Sequence, residues 1–220
     1  MAKRRALAGL VAPGQLALFG GPPPAEGPSG ADFTPDRRYR RSLWRTLDRA
    51  LGQPAAPGTA VFLGFNPSTG DEREDDLSIT KSLEYTRRLA VARSLPLGRV
   101  RWVNPFALVS SDPRALLEAN DPIGPGNEEA LDRAFAEAAV VVAVCGSLAE
   151  GMPRPFRDYA VAHVREVLRR AIVRAPAVVC LGVGRGGGPR HLARLGYDTP
   201  FEDFTLAAAP ARPTRRKESP

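Results

Sequence analysis

Four short apolar runs limit most strongly what this chain can fold into: AVFLGF at 60–65, RVRWV at 99–103, VVVAVC at 140–145 and AVVCLG at 177–182. Each is a continuous run, rich in β-branched or aromatic residues, as in strands covered on both faces. Helical patterns precede and separate them. RRYRRSLWRTLDRAL places Leu43, Leu47 and Leu51 at i, i+4 and i+8. LSITKSLEYTRRLAVAR gathers Leu77, Leu83 and Ala90 on one face, and NEEALDRAFAEAA opens on Asn127 as an N-cap with acids in its first turn. RDYAVAHVREVLRRAIVRA is a long amphipathic helix ending in arginines. Strand–helix alternation predicts an α/β fold, with a mainly parallel central sheet of about four strands between helix layers.

The Pro/Gly-rich start reads as a flexible tail over 1–35, followed by one α/β domain over 36–206 and a basic tail over 207–220. Net charge is +7 and the sequence pI about 10.1, which suits a polyanionic partner such as DNA. Cys145 and Cys180 lie in apolar runs and read as buried thiols of a reducing cytoplasm rather than a disulfide or metal site. The stretch LAGLVA is too short for a signal peptide or membrane span, and Pro13-Gly14 interrupts it. A cytoplasmic monomer without a membrane partner, metal or organic cofactor is the expectation.

Open α/β sheets bind ligands at the carboxyl ends of their strands, so the chemistry should follow the four runs. After the first come Gly64-Phe65-Asn66-Pro67-Ser68-Thr69-Gly70 and an acidic stretch ending at Asp76. Asn66 offers one acceptor and two donors, suited to orienting a water or gripping a base edge. Most of these acids read as capping the next helix, with Asp76 set apart as a site candidate. After the second run come Asn104-Pro105-Phe106 and Ser110-Ser111-Asp112-Pro113, a second Asn-Pro pair in the same topological place. After the fourth comes a Gly-rich segment with Arg185, Arg190 and His191. It contains a formal G-x-G-x-x-G at Gly182, Gly184 and Gly187. The segment follows the last strand rather than the first, and Pro189 interrupts it, which argues against a dinucleotide site. Its backbone N–H groups and guanidinium forks still suit a phosphate. His163 lies mid-helix and reads as structural.

The order of these motifs carries a resemblance. Tyr-Arg, Leu-Trp-Arg, Asn-Pro-Ser-Thr, Asn-Pro-Phe, Ser-Asp-Pro, Asn-Asp-Pro-Ile-Gly and a final Gly-Pro-Arg-His resemble the bacterial domain of unknown function 1643, over about 39–195. The family's usual His-Pro-Leu ending is His191-Leu192-Ala193 here. A looser resemblance is to uracil-DNA glycosylases, whose first core strand leads into a Gly-x-Asn-Pro loop. Gly64-Phe65-Asn66-Pro67 is similar to it. This likeness implies a three-layer, uracil-DNA-glycosylase-like α/β sandwich. It also implies that Asn66 holds the hydrolytic water and that His191 stands near the family's late histidine. Asn104 or Phe106 would contact the base, and Arg190 with His191 would clamp phosphate or stabilise the leaving anion. The catalytic expectation therefore rests on Asn66 and His191. Gly64, Phe65, Pro67, Ser68, Thr69, Asp76, Asn104, Phe106, Arg185 and Arg190 are the expected substrate contacts.

One further segment stands apart. Gln15-Leu16-Ala17-Leu18-Phe19 places an apolar cluster in a Pro/Gly-rich flank. It resembles the peptide that docks bacterial proteins on the DNA polymerase sliding clamp, with Gln15, Leu16, Leu18 and Phe19 as the contacts. Together these readings lead to glycosylase-like hydrolysis of a nucleobase bond in DNA. A non-catalytic nucleotide- or DNA-binding module tethered to the clamp, or an enzyme of free nucleotides, fits the same motifs.

Overall fold

The computed structural model describes residues 27–47, 56–146, 152–184 and 187–206. Strands are β1 (Ser29–Phe33), β2 (Arg40–Thr46), β3 (Gly58–Leu63), β4 (Leu97–Val103), β5 (Val140–Ala143), β6 (Val178–Cys180) and β7 (Glu202–Asp203). Helices are α1 (Leu77–Arg93), α2 (Ala115–Glu118), α3 (Asn127–Glu137) and α4 (Arg154–Arg174). The strands form one seven-stranded mixed sheet in the order β1-β2-β4-β3-β5-β6-β7.

The four apolar runs are β3 to β6, paired in parallel at the centre. The expected four-strand sheet is nevertheless too small. Antiparallel strands extend it at both edges, β2 and β1 on one side and β7 on the other. β1 lies within the stretch read as tail, and its Gly30 sits under the Trp44 indole, where a Cβ would not fit.

β2 replaces an expected helix. An i, i+4 spacing belongs to period 2 as well as to period 3.6, so Leu43 and Leu47 fit either element. Pairing decides it: Leu43 faces Trp102 across β4, and Leu43 and Trp102 are both buried. Trp102 stacks on Phe62 of β3 at 5.3 Å.

Both faces of the sheet are covered. Ile79, Tyr85 and Leu89 of α1 pack with Phe62, Val142 and Val179 on one face. Leu131 and Phe135 of α3 and Val164 and Leu168 of α4 pack with Val61, Val141 and Val178 on the other. β3 leads through α1 to β4, then the chain passes through α3 to β5 on the opposite side of β3. The connections after β3 and β5 thus run to opposite faces. A crevice opens between their carboxyl ends, the usual ligand position in open α/β sheets. Among the described residues, no helix is long and apolar enough to cross a membrane.

Candidate functional site

A cleft of about 750 Å³ occupies that crevice, within the size range of small-molecule sites. The loop after β3 contributes Gly64, Phe65, Asn66 and Ser68, and the loop after β4 contributes Asn104, Ser110 and Ser111. Cys145 and Gly146 follow β5, and Arg190, His191 and Arg194 follow β6. Arg40 of β2 and the start of α1, with Asp76, complete the lining. Phe65, Trp102, Met152 and Leu195 give it apolar walls.

Asn66 joins two of these loops. Its Nδ2 donates to the carbonyls of Pro67 (3.1 Å) and Ser110 (2.8 Å). Two acceptors demand the amide nitrogen, which leaves Oδ1 as the acceptor for anything in the cleft. Asn104 is 2 % exposed; among the described residues its Nδ2 and the Asn127 Oδ1 are buried without a hydrogen-bond partner, and of the two residues Asn104 lines the cleft. A buried, unpaired amide donor costs about 1–3 kcal/mol, so its presence at a cleft wall points to a ligand acceptor. The Asn104 backbone is held from behind. Asn127 donates from Nδ2 to the carbonyls of Asn104 (3.0 Å) and Pro105 (3.1 Å), and His163 Nε2 lies 2.9 Å from the Pro105 carbonyl. Asn127 was expected as an N-cap. Gly126, at φ 71°, takes that position, and Asn127 turns inward instead.

His191 accepts from the Ala193 N–H at Nδ1 (3.2 Å), so the neutral ring carries its proton on Nε2. Burial lowers its pKa, opposed by the Asp76 carboxylate and aided by Arg194. It is therefore a neutral hydrogen-bond donor at neutral pH. Cys145 also lines the cleft, but burial pushes its thiol up to about 12 and Sγ donates to the Leu63 carbonyl. A thiolate nucleophile is excluded at physiological pH.

The acids divide differently from expectation. Asp76 is the N-cap of α1, with Oδ1 accepting from Ser78 N (2.8 Å) and Ile79 N (2.9 Å). Two others pair with arginines: Glu72 with Arg37, in the turn before β2, at 2.8 Å, and Asp75 with Arg45 of β2 at 2.7 Å. Asp76→Ala is expected to lower stability by about 1 kcal/mol, typical of a lost cap, as measured by urea unfolding.

Of the expected contacts, Gly64, Phe65, Asn66, Ser68, Asp76, Asn104, Arg190 and His191 come together in the cleft. Gly64 has a packing reason to be glycine, since an added Cβ would lie 2.5 Å from Asn104 Oδ1. Pro67 is buried beside the lining and Thr69 points to solvent. Phe106 is fully buried in the core on the α3 and α4 side, edge-to-face with Phe65 at 5.2 Å. It supports the wall that Phe65 presents rather than touching the cleft itself. Arg185, Gln15, Leu16, Leu18 and Phe19 lie outside the described residues. The Gly-rich segment closes on itself through a Val183–Pro189 bridge, and Gly184 N donates to Gly188 O.

Arg40 and Arg194 were missed. Arg194 lies just beyond the expected Arg190-His191 pair. Arg40 was hidden by the helical reading of its segment, and its orientation depends on an irregularity. β1–β2 pairing slips between Asp32 and Phe33, so that Ser42 faces Asp32 but Arg40 faces Phe33. The slip breaks the side-chain alternation. Arg40 Nη1 reaches the Gly70 carbonyl in the loop before α1.

A family model described as "Protein of unknown function (DUF1643)" matches residues 38–191, more than half of the chain. The chain belongs to the DUF1643 family. The DUF1643 match runs from the turn before β2 to His191, so it spans the strand-end loops that build the cleft. No curated protein and no solved structure matches the chain. The uracil-DNA-glycosylase-like fold expected from the sequence therefore gains no support, and that likeness stays with the loop motifs alone.

Proposed function

We propose that the cleft of this DUF1643 protein binds a nucleotide unit of DNA and hydrolyses its N-glycosidic bond. The observation that carries the reading is the unpartnered amide of Asn104, buried at a wall that also holds Asn66 Oδ1 and His191. An amide donor on a lining shared with apolar Phe65 and Trp102 suits the edge and faces of a base. Asn66 Oδ1 would hold a water for attack at the anomeric carbon. The carbon–nitrogen bond breaks with its electron pair leaving on the base, and the water supplies the new carbon–oxygen bond and releases a proton. His191 Nε2–H would donate a hydrogen bond to the departing base anion, which takes up the proton that the water releases. Arg190 and Arg194, which carry no ion pair among the described residues, would meet the DNA phosphates. Such chemistry rests on positioning and electrostatics more than on covalent help.

The test is incubation with single- and double-stranded oligonucleotides carrying uracil, hypoxanthine or oxidised bases, followed by alkaline cleavage. Strand scission at the modified base is expected. Salt-sensitive DNA binding without scission would leave a binding module, a reading favoured by Asn66 using both its donors to join loops. Gln15, Leu16, Leu18 and Phe19 would tether the domain to the sliding clamp. Leu18→Ala with Phe19→Ala is expected to abolish clamp binding and to spare activity on free oligonucleotides. Undiminished clamp binding by that variant would reduce the segment to a chance match.

A further inference from the structure

We propose that the cleft contains a subsite for a terminal phosphate group, formed by the buried guanidinium of Arg40. The inference deepens the reading above and rests on the cleft being a nucleotide site, not on bond cleavage. Arg40 is 3 % exposed and lines the cleft. Among the described residues its guanidinium bonds the Gly70 carbonyl and no carboxylate lies within salt-bridge distance of it. Asp76 and Asp71 act on it from farther off, and Arg45, itself paired with Asp75, opposes them. A buried guanidinium without a paired anion is costly to fold, so a site that keeps one is built for an incoming anion.

The donor set narrows the ligand. The Arg40 guanidinium carries only N–H donors and no acceptor. A donor-only fork complements oxyanion oxygens, and the Asp76 carboxylate that acts on Arg40 has its Oδ1 engaged in the α1 cap. Position narrows it further. A phosphodiester inside a chain needs a groove that the backbone can enter and leave, which exposed Arg190 and Arg194 suit. Arg40 lies buried, where an end group fits better. The phosphate could come from a free nucleotide or from a 5′-phosphorylated DNA end.

Calorimetric titration of the full chain tests this with inorganic phosphate, a 5′-mononucleotide, its nucleoside, and one oligonucleotide with and without a 5′-phosphate. The phosphorylated form of at least one pair is expected to bind tenfold or more tightly than its unphosphorylated counterpart, with inorganic phosphate competing. Arg40→Gln is expected to remove that preference while leaving nucleoside binding unchanged, and Arg40→Lys to retain part of it. A preference confined to mononucleotides identifies the free nucleotide as the source, and one for oligonucleotides identifies DNA ends. Equal binding within both pairs, or a preference that survives Arg40→Gln, overturns the subsite. Should Arg40→Gln fail to fold, Arg40→Met provides the same comparison. A phosphate preference without base release would defeat the hydrolysis reading alone.

Discussion

Replacing Asn66 with alanine is expected to lower base release by roughly 10²-fold or more, the scale of a lost positioning contact. Two effects combine. The acceptor Oδ1 that would orient the water disappears, and so do the donations to the Pro67 and Ser110 carbonyls that tie the β3 loop to the β4 loop. The second effect lowers stability by about 1–3 kcal/mol, because two hydrogen bonds at a partly buried position are lost. Single-turnover kinetics separates them. With enzyme in excess and well below the melting temperature, instability does not slow a folded enzyme, whereas a missing water-orienting group does. Full base release by this variant would remove Asn66 from the chemistry and leave it as a clasp between loops.

The second large effect has the opposite sign for stability and function. Arg40→Met is expected to raise stability by about 1–2 kcal/mol and to abolish the preference for phosphorylated ligands. Burial lowers the Arg40 pKa from its usual value to about 10, with Asp76 opposing that shift. A drop of that size corresponds to roughly 3 kcal/mol against the charged form. The sign follows from linkage: the folded value lies below the unfolded one, so the cost is fully present at pH 7 and is relieved only as pH rises through about 10. Methionine removes the charge and keeps the aliphatic volume, but gives up the bond to Gly70, which is why the gain stays below the full cost. Urea unfolding at pH 7 measures it. A loss of more than about 1 kcal/mol, the scale of one net hydrogen bond, would mean that Arg40 serves the fold as a clasp on the Gly70 loop.

The sequence made the centre of the sheet legible and its edges obscure, for physical reasons. β3, β5 and β6 are covered on both faces and appear as continuous apolar runs, while β4 sets Arg99 and Arg101 among Val100, Trp102 and Val103. β7 is Glu202–Asp203, two exposed acids that pair through backbone alone and leave no side-chain signature. β2 carries Arg40, Ser42 and Arg45 at buried positions, which no hydropathy pattern identifies as a strand. The site follows the same division. Asn66, Asn104, Arg190 and His191 could be found because strand ends mark ligand positions in this architecture. Arg40 could not, because its place in the cleft depends on pairing with β1 and on a one-residue slip in that pairing. Phe106 misled because a loop position beside Asn104 says nothing about which way a ring turns. Asp76 lines the cleft, yet its Oδ1 caps α1, a role that the sequence had given to its neighbours.

In the proposed site the Asn104 amide would face a nucleotide ligand. The most direct measurement is a titration of the full chain with a 5′-mononucleotide, followed by nitrogen–proton NMR of the asparagine side-chain amides. The Asn104 NH₂ signals, assigned by their loss in Asn104→Ala, are expected to shift strongly and saturate with the binding isotherm. The Asn127 signals, already bonded to the Asn104 and Pro105 carbonyls, should move little. Nucleotide binding that leaves the Asn104 amide unmoved would place the ligand away from Asn104 and overturn the proposed site.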